Sequence, residues 1–183
     1  MQKDLMKYWK RFPLSHLEII QEKALKFALA DPKIFSGKIW IPVDRHAFNR
    51  AVPELNIALA KHRTYATYIA IIAVTKAEGT SVHIDEQGLQ IQARLNIPLL
   101  NCEGSMTEFY TYPEKPLLRY SEGGVPYLQL EHQELCVKVD EVELNQPTVL
   151  RIAAPHRVAC NSNLLPRLAL TIKLSIDPVR WLT

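Results

Sequence analysis

From Leu14 to Ala30 the apolar positions recur at helical spacing, so that Leu17, Ile20, Ala24, Phe27 and Ala28 fall on one face. Ser15 stands where an N-cap belongs and Glu18 follows three places later, the pattern of a capping box. Asp31-Pro32 predicts the end of that helix, because the residue before a proline is pushed out of the helical region. A second helix is predicted over Pro53 to His62, with proline in its first turn. From Thr64 the pattern changes. TYATYIAIIAV is rich in β-branched and aromatic residues and predicts a buried strand. Shorter strand candidates follow at Gly88 to Ala93, Arg94 to Leu100, Thr107 to Tyr112, Tyr127 to Leu130, Leu135 to Val139, Thr148 to Ala153, His156 to Cys160 and Leu168 to Ile176. Turn signals separate several of them: Glu78-Gly79, Glu103-Gly104-Ser105, Glu122-Gly123-Gly124 and Asn145-Gln146-Pro147.

Helices come first and strands afterwards. Strict alternation of strand and helix is missing, which argues against a doubly wound nucleotide-binding fold. Many short strands at fairly even spacing favour a sandwich or barrel, and the expected architecture is a mainly β jelly roll with N-terminal helices on its outside. The 183 residues suit a single domain over 1–183. Within it, 1–63 is expected to form a helical and extended segment packed on a β core at 64–183.

Charge and cysteine usage narrow the function classes. The formal net charge is only +3, far from the dense basic patch of a nucleic-acid binder. Cys102, Cys136 and Cys160 are widely spaced and odd in number, which argues against a disulfide framework or a zinc ribbon. The opening MQKDLMKYWKRF carries charges throughout and lacks the apolar centre of a signal peptide. The most apolar stretch, Tyr68 to Val74, is too short to span a bilayer. The expectation is a soluble cytoplasmic protein with no membrane and no nucleic-acid partner; the oligomeric state is not legible.

The chemistry centres on two of the six histidines. His16 and His62 lie on or beside predicted helices, His46 lies in a polar, loop-like stretch, and His132 follows a strand among charges; surface or capping roles suit all four. His83 occurs in Ser81-Val82-His83-Ile84-Asp85. Residues i and i+2 of a strand project to one face, so His83 and Asp85 point together. His156, in Ala154-Pro155-His156-Arg157-Val158, can supply a second imidazole from a distant strand. Two histidines and one carboxylate on one face of a metal leave three positions open, the arrangement of non-haem iron(II) oxygenases. An H-x-D alone is a weak signal, since such pairs also occur as ordinary surface or core residues.

Three further residues accompany that set. Arg167 stands eleven places after His156 at the entrance to LALTIKL, and its guanidinium can hold a carboxylate in a bidentate fork. A surface arginine is the plain alternative. Arg94 and Asn96 share one strand face ahead of an apolar run, and either line a cavity or form the solvent side of an amphipathic strand.

The order H-x-D, R-x-N-I-P-L, P-H-x-V-x-x-N and R-L-A-L-T-I, over roughly residues 80 to 175, resembles the iron(II)/2-oxoglutarate dioxygenases, and most closely their aspartyl/asparaginyl β-hydroxylase-like branch. The resemblance implies a double-stranded β-helix at 64–183. It implies His83, Asp85 and His156 as catalytic metal ligands and Arg167 as the partner of the distal carboxylate of 2-oxoglutarate. Arg94 and Asn96 would line the cosubstrate pocket. The implied cofactors are Fe(II), 2-oxoglutarate and dioxygen, and the implied reaction is hydroxylation of a C–H bond. Two departures bear on the branch: Asp85 is present where some of its members lack a carboxylate ligand, and Asn161 falls one residue late. A cupin-type metal enzyme without 2-oxoglutarate and a non-catalytic β-sandwich remain as alternatives. An amino-acid-like, peptidyl or small-metabolite substrate is expected, with Tyr112 to Pro126 suited either to a substrate-covering loop or to an ordinary surface loop.

Overall fold

The computed structural model describes residues 7–37, 39–77, 79–85, 92–120, 126–160 and 164–182. Three helices, α1 (Leu17–Leu29), α2 (Arg45–Ala51) and α3 (Pro53–Ala60), precede most of the strands. In chain order the strands are β1 (Trp9–Arg11), β2 (Trp40–Pro42), β3 (Ala66–Val74), β4 (His83–Asp85), β5 (Arg94–Leu100), β6 (Met106–Thr111), β7 (Leu117–Tyr120), β8 (Pro126–Gln129), β9 (Val137–Glu143), β10 (Thr148–Leu150), β11 (His156–Ala159) and β12 (Arg167–Leu174).

They form two antiparallel sheets, β1-β10-β5-β12-β3-β2 and β7-β8-β4-β11-β6-β9. From β3 onward the chain passes repeatedly between the sheets, which makes a double-stranded β-helix. The β7–β8 hairpin extends the second sheet, and β1 and β2, from the N-terminal segment, extend both edges of the first.

The first sheet has two chemically opposite faces. On one, Ile69 and Ile71 of β3, Leu95 and Ile97 of β5, and Leu168, Leu170 and Ile172 of β12 pack against Ile20, Ala24 and Ala28 of α1, Phe48 of α2, and Leu55 and Leu59 of α3. Each fully buried Leu or Ile contributes about 1.5–3 kcal/mol. The small residues Ala24 and Ala28 let α1 lie close to β5. The alternate positions of the same strands face the second sheet. Val74 of β3 packs with Val158 and Cys160, and Leu150 of β10 packs with Phe109 of β6. Residues directly opposite in an antiparallel pair share a face. Arg167, paired with Val74, and Arg94, paired with Leu150, therefore point into the space between the sheets.

Several expectations about elements change. Helix α1 begins at Leu17 after His16 at φ 60, with no side-chain cap, so the Ser15 capping box does not form. The stretch around His46 is helix α2, capped by Asp44, whose carboxylate accepts from Ala47 N–H at 2.7 Å. Residues 133–135 form a short 3-10 turn ahead of β9, and β10 ends at Leu150 rather than Ala153. Tyr112 to Pro126 contains β7, which pairs with β8. Most of the Gly88 to Ala93 strand candidate, the Glu122-Gly123-Gly124 turn, Glu78 and Asn161 lie outside the described residues. Among the described residues no helix is long and apolar enough to cross a membrane.

Candidate metal centre

Strands β4 and β11 pair antiparallel with His83 directly opposite His156. Their rings lie 4.7 Å apart, centroid to centroid. Asp85, two residues along β4, projects to the same face, and its Oδ1 lies 3.1 Å from His83 Nε2. One ligand atom from each of the three lies within 4.8 Å of the others.

The backbone fixes both imidazoles in the same way. Nδ1–H of His83 donates to the Ser81 carbonyl at 2.8 Å, and Nδ1–H of His156 donates to the Ala154 carbonyl at 2.9 Å. Each Nε2 is thereby left to face the shared space, the second-sphere pattern of metal-ligating histidines. The backbone of the loop before β4 is held against β11: Thr80 N–H donates to the Val158 carbonyl and Val158 N–H donates to Thr80 Oγ1, both at 2.9 Å. Gly79, at φ 75, allows this approach, because a Cβ there would overlap the Val158 carbonyl.

The electrostatics suit a cation. Burial, followed by the charge of His83, pulls the His156 pKa down to about 4, so its imidazole stays neutral with a lone pair. Burial alone would raise the Asp85 carboxyl. The hydrogen bond from His83 and the charges of His156, His83 and Arg94 outweigh it and hold Asp85 well below the usual carboxylate range. Burial disfavours a charged His83, but the bond to Asp85 prevails and raises its pKa. Two nitrogens and one oxygen on one side of a point fit a divalent iron with open positions.

The wall opposite is polar, which is unusual between two packed sheets. Asn96 pairs with Thr148 on one side and Thr171 on the other, so all three face inward, and all are buried. Arg167 is 1% exposed, and its Nε and Nη1 have no hydrogen-bond partner among the described residues. Thr107 of β6, opposite Val158, is likewise buried with an unpartnered hydroxyl. Val158 and Val74 touch, so Arg167 and Thr107 stand at the same end of the interior. Arg94, 2% exposed, lies against two aromatic rings. Its guanidinium carbon lies 4.8 Å from the Trp40 ring centre and 5.9 Å from that of Tyr68.

The space between the sheets thus receives all six residues singled out in the sequence: His83, Asp85, His156, Arg167, Arg94 and Asn96. Trp40, Tyr68, Thr107 and Thr171 escaped that reading. Alternation along β3 could have placed Tyr68 opposite the face of Ile69 and Ile71. Trp40 lies in a three-residue edge strand with no periodic signal. A separate cleft of about 410 Å³ lies on the outer side of the second sheet, lined by Ile84, Tyr110, Tyr112, Glu114 and Pro116 among others. The first part of the 112–126 stretch therefore borders that cleft, on the far side of β4 from the three ligands.

No family model and no curated protein matches the sequence. Solved structures do match. SnoN, a non-haem α-ketoglutarate-dependent epimerase from nogalamycin biosynthesis, superposes with a TM-score of 0.55 at 12% identity, covering 95% of this chain and 82% of SnoN. SnoN in complex with Fe3+, α-ketoglutarate and nogalamycin RO gives 0.55 at 14%, covering 97% and 85%. AviO1 from Streptomyces viridochromogenes Tue57 gives 0.52 at 13%, covering 94% and 91%. At such identities the likeness establishes the fold.

Proposed function

We propose that the chain is an iron(II)- and 2-oxoglutarate-dependent oxygenase that oxidises a C–H bond of a small-molecule or peptidyl substrate, with hydroxylation as the outcome. The carrying observation is the buried, unpartnered guanidinium of Arg167 in the same interior as the His83–Asp85–His156 set. A buried cation without a counter-charge is strongly unfavourable, and a carboxylate supplied by a ligand removes the penalty. A cupin-type metal enzyme that does not use 2-oxoglutarate has no need of such a group, and neither does a non-catalytic sandwich.

In this reading His83, Asp85 and His156 hold iron(II), and the metal with 2-oxoglutarate and dioxygen supplies the oxidising power. Arg167 and the hydroxyl of Thr107 receive the distal carboxylate, while Asn96 and Arg94 line the interior from β5. The backbone carbonyls of Ser81 and Ala154 keep both imidazoles in the ligating tautomer. The phenol of Tyr127, opposite Asp85 on β8, stands edge-on to His83 at 6.4 Å and borders the reaction space. SnoN and AviO1 support this reading through their shared fold. Placement in the aspartyl/asparaginyl β-hydroxylase-like branch rests on the sequence motifs alone.

The test is an anaerobic titration of the metal-free protein with iron(II) and then 2-oxoglutarate, followed by the metal-to-ligand charge-transfer band of the chelate. The band is expected in the wild type, lost in His83→Ala and weakened in Arg167→Ala. Iron binding without the band would move the assignment to a cupin-type enzyme, and no iron binding would sink the three-residue site.

A further inference from the structure

The row of side chains that carries the two histidines does not stop at β4. Directly opposite residues of an antiparallel pair share a face. His156 is opposite His83, His83 is opposite Gln129 of β8, and Gln129 is opposite Leu117 of β7. Two residues along β4, Asp85 is opposite Tyr127, and Tyr127 is opposite Arg119. The edge-on contact of the Tyr127 and His83 rings at 6.4 Å agrees with that placement. Gln129, Tyr127, Leu117 and Arg119 therefore continue the ligand-bearing face outward by two strands, about 10 Å at roughly 4.8 Å per strand.

Exposure rises along that row. His156 is buried, His83 and Gln129 are half-buried, and Leu117 is 37% exposed. All four residues of β7 are exposed, on both faces of the strand, so the first sheet does not reach over it. A molecule approaching the metal ligands from solvent therefore crosses β7 and then β8. The polar ends it meets on β8 are unused. Neither the Gln129 amide nor the Tyr127 phenol has a side-chain hydrogen bond among the described residues. Arg119 differs, because its Nη2 lies 3.6 Å from Glu131 Oε1.

We propose that Tyr127 and Gln129 determine specificity for the primary substrate, an uncharged molecule that presents an amide-like donor–acceptor group to β8 and lays an apolar extension over Leu117. This deepens the oxygenase reading and rests on it. A side-chain amide offers donor and acceptor side by side, and a phenol offers one of each. Such neutral groups satisfy an amide, but they do not offset the desolvation of a carboxylate or an ammonium. Arg119, the cation of these two rows, already has its counter-charge in Glu131. A substrate held by Gln129 and Tyr127 is anchored one strand away from His83 and Asp85. The oxidised C–H bond therefore lies a bond or two from the anchored group.

The experiment uses protein loaded anaerobically with iron(II) and 2-oxoglutarate, titrated by calorimetry with 3-phenylpropanamide, propanamide and 3-phenylpropanoate. The phenyl amide is expected to bind more tightly than propanamide, and roughly tenfold or more tighter than the acid. Its affinity is expected to fall roughly tenfold in Gln129→Leu, which loses two neutral hydrogen bonds, and about threefold in Tyr127→Phe, which loses one. Leu117→Ser is expected to erase the advantage of the phenyl amide over propanamide, and Arg119→Gln to change neither amide. The charge-transfer band is expected to persist in every variant. Loss of the band in Gln129→Leu would overturn the proposal by assigning Gln129 to the cosubstrate, while leaving the oxygenase reading intact. Binding of the acid as tight as that of the amide, no binding of either amide, or an amide affinity unmoved by both β8 variants would overturn it as well. A dimer in sedimentation velocity that Leu117→Ser dissociates would make β7 a subunit contact and overturn its role in the approach. Absence of the band in the wild type would count against the oxygenase reading itself, and the amide titration of the metal-free protein would still decide the role of β8. Should Gln129→Leu fail to fold by circular dichroism, Tyr127→Phe, which removes one oxygen, carries the test.

Discussion

His83 and His156 are register partners across the β4–β11 ladder, although 72 other residues separate them in the chain. Their relative position is therefore fixed by strand pairing, and an ion held between them ties the two strands together. Metal binding should appear as stability. With free iron(II) at about 100 times its Kd, the gain is about 2.7 kcal/mol. For a chain of this length that is a rise in melting temperature of roughly 5–10 °C. Thermal melts under anaerobic conditions are expected to show the rise in the wild type and none in His156→Ala.

Arg167 gives a prediction of opposite sign. Its buried, unpartnered nitrogens make it a burden on the metal-free and cosubstrate-free fold. Replacing such a charge with an apolar side chain of similar length is neutral or stabilising, by about 1–4 kcal/mol. Arg167→Met is expected to raise the urea midpoint of the metal-free protein while the charge-transfer band with 2-oxoglutarate is weakened. A clear fall in the midpoint would mean that the guanidinium has a structural partner.

Gly79 tests the loop that leads into β4. Alanine there combines a positive φ of 75 with an overlap on the Val158 carbonyl. The backbone term alone is about 1–2 kcal/mol, and the overlap adds displacement of the 79–80 segment from β11. Gly79→Ala is expected to lower stability by more than that backbone term in urea melts and to weaken iron binding. Gly37→Ala, also at positive φ but with open space around its Cβ, should show the backbone penalty alone.

On the outer face of the second sheet, Glu108 collects three partners. Arg157 Nε–H donates to it at 2.5 Å, Tyr110 Oη–H at 2.6 Å and Lys138 Nζ at 3.4 Å. Burial acts to raise the Glu108 carboxyl, but these partners prevail and hold its pKa below the ordinary glutamate value. The same burial, with Glu108 alongside, pushes the Tyr110 phenol up to about 12. A depressed carboxyl contributes its full stabilisation above the unfolded-state pKa and loses it as pH falls toward the folded value. Glu108→Gln is therefore expected to be less stable than the wild type at pH 7, by about 1–3 kcal/mol. The gap should close as pH drops below about 4.5, measured by denaturant melts across pH.

The parts of this molecule legible in the sequence are those with a local signature. The i, i+2 rule put His83 and Asp85 on one face because a strand admits no other outcome, and helix α1 followed from the spacing of Ile20, Ala24 and Ala28. The long apolar strand β3 was equally plain. Elements made by long-range pairing were not. β1, β2 and β7 have three or four residues each, too few for a period to show, and their existence depends on partners elsewhere in the chain. The start of α1 was misread because His16 enters it from the left-handed region and leaves the Ser15 hydroxyl buried and unused. Trp40 and Tyr68 were missed for the same physical reason as β2: their meeting is a property of the sheet, not of either segment.

Trp9 of β1 pairs with Leu150 of β10, and Tyr8 stacks on Phe109, whose ring lies 6.3 Å from that of His156. During synthesis, at about 5–20 residues per second, Leu150 follows Trp9 by roughly 7–28 s. Through that interval β1 has no partner, and one edge of the growing sheet stays open to other chains. Both histidines of the ladder cannot meet until still later. Loading of this site with metal must therefore wait for β11, since until His156 is made the site consists of His83 and Asp85 alone.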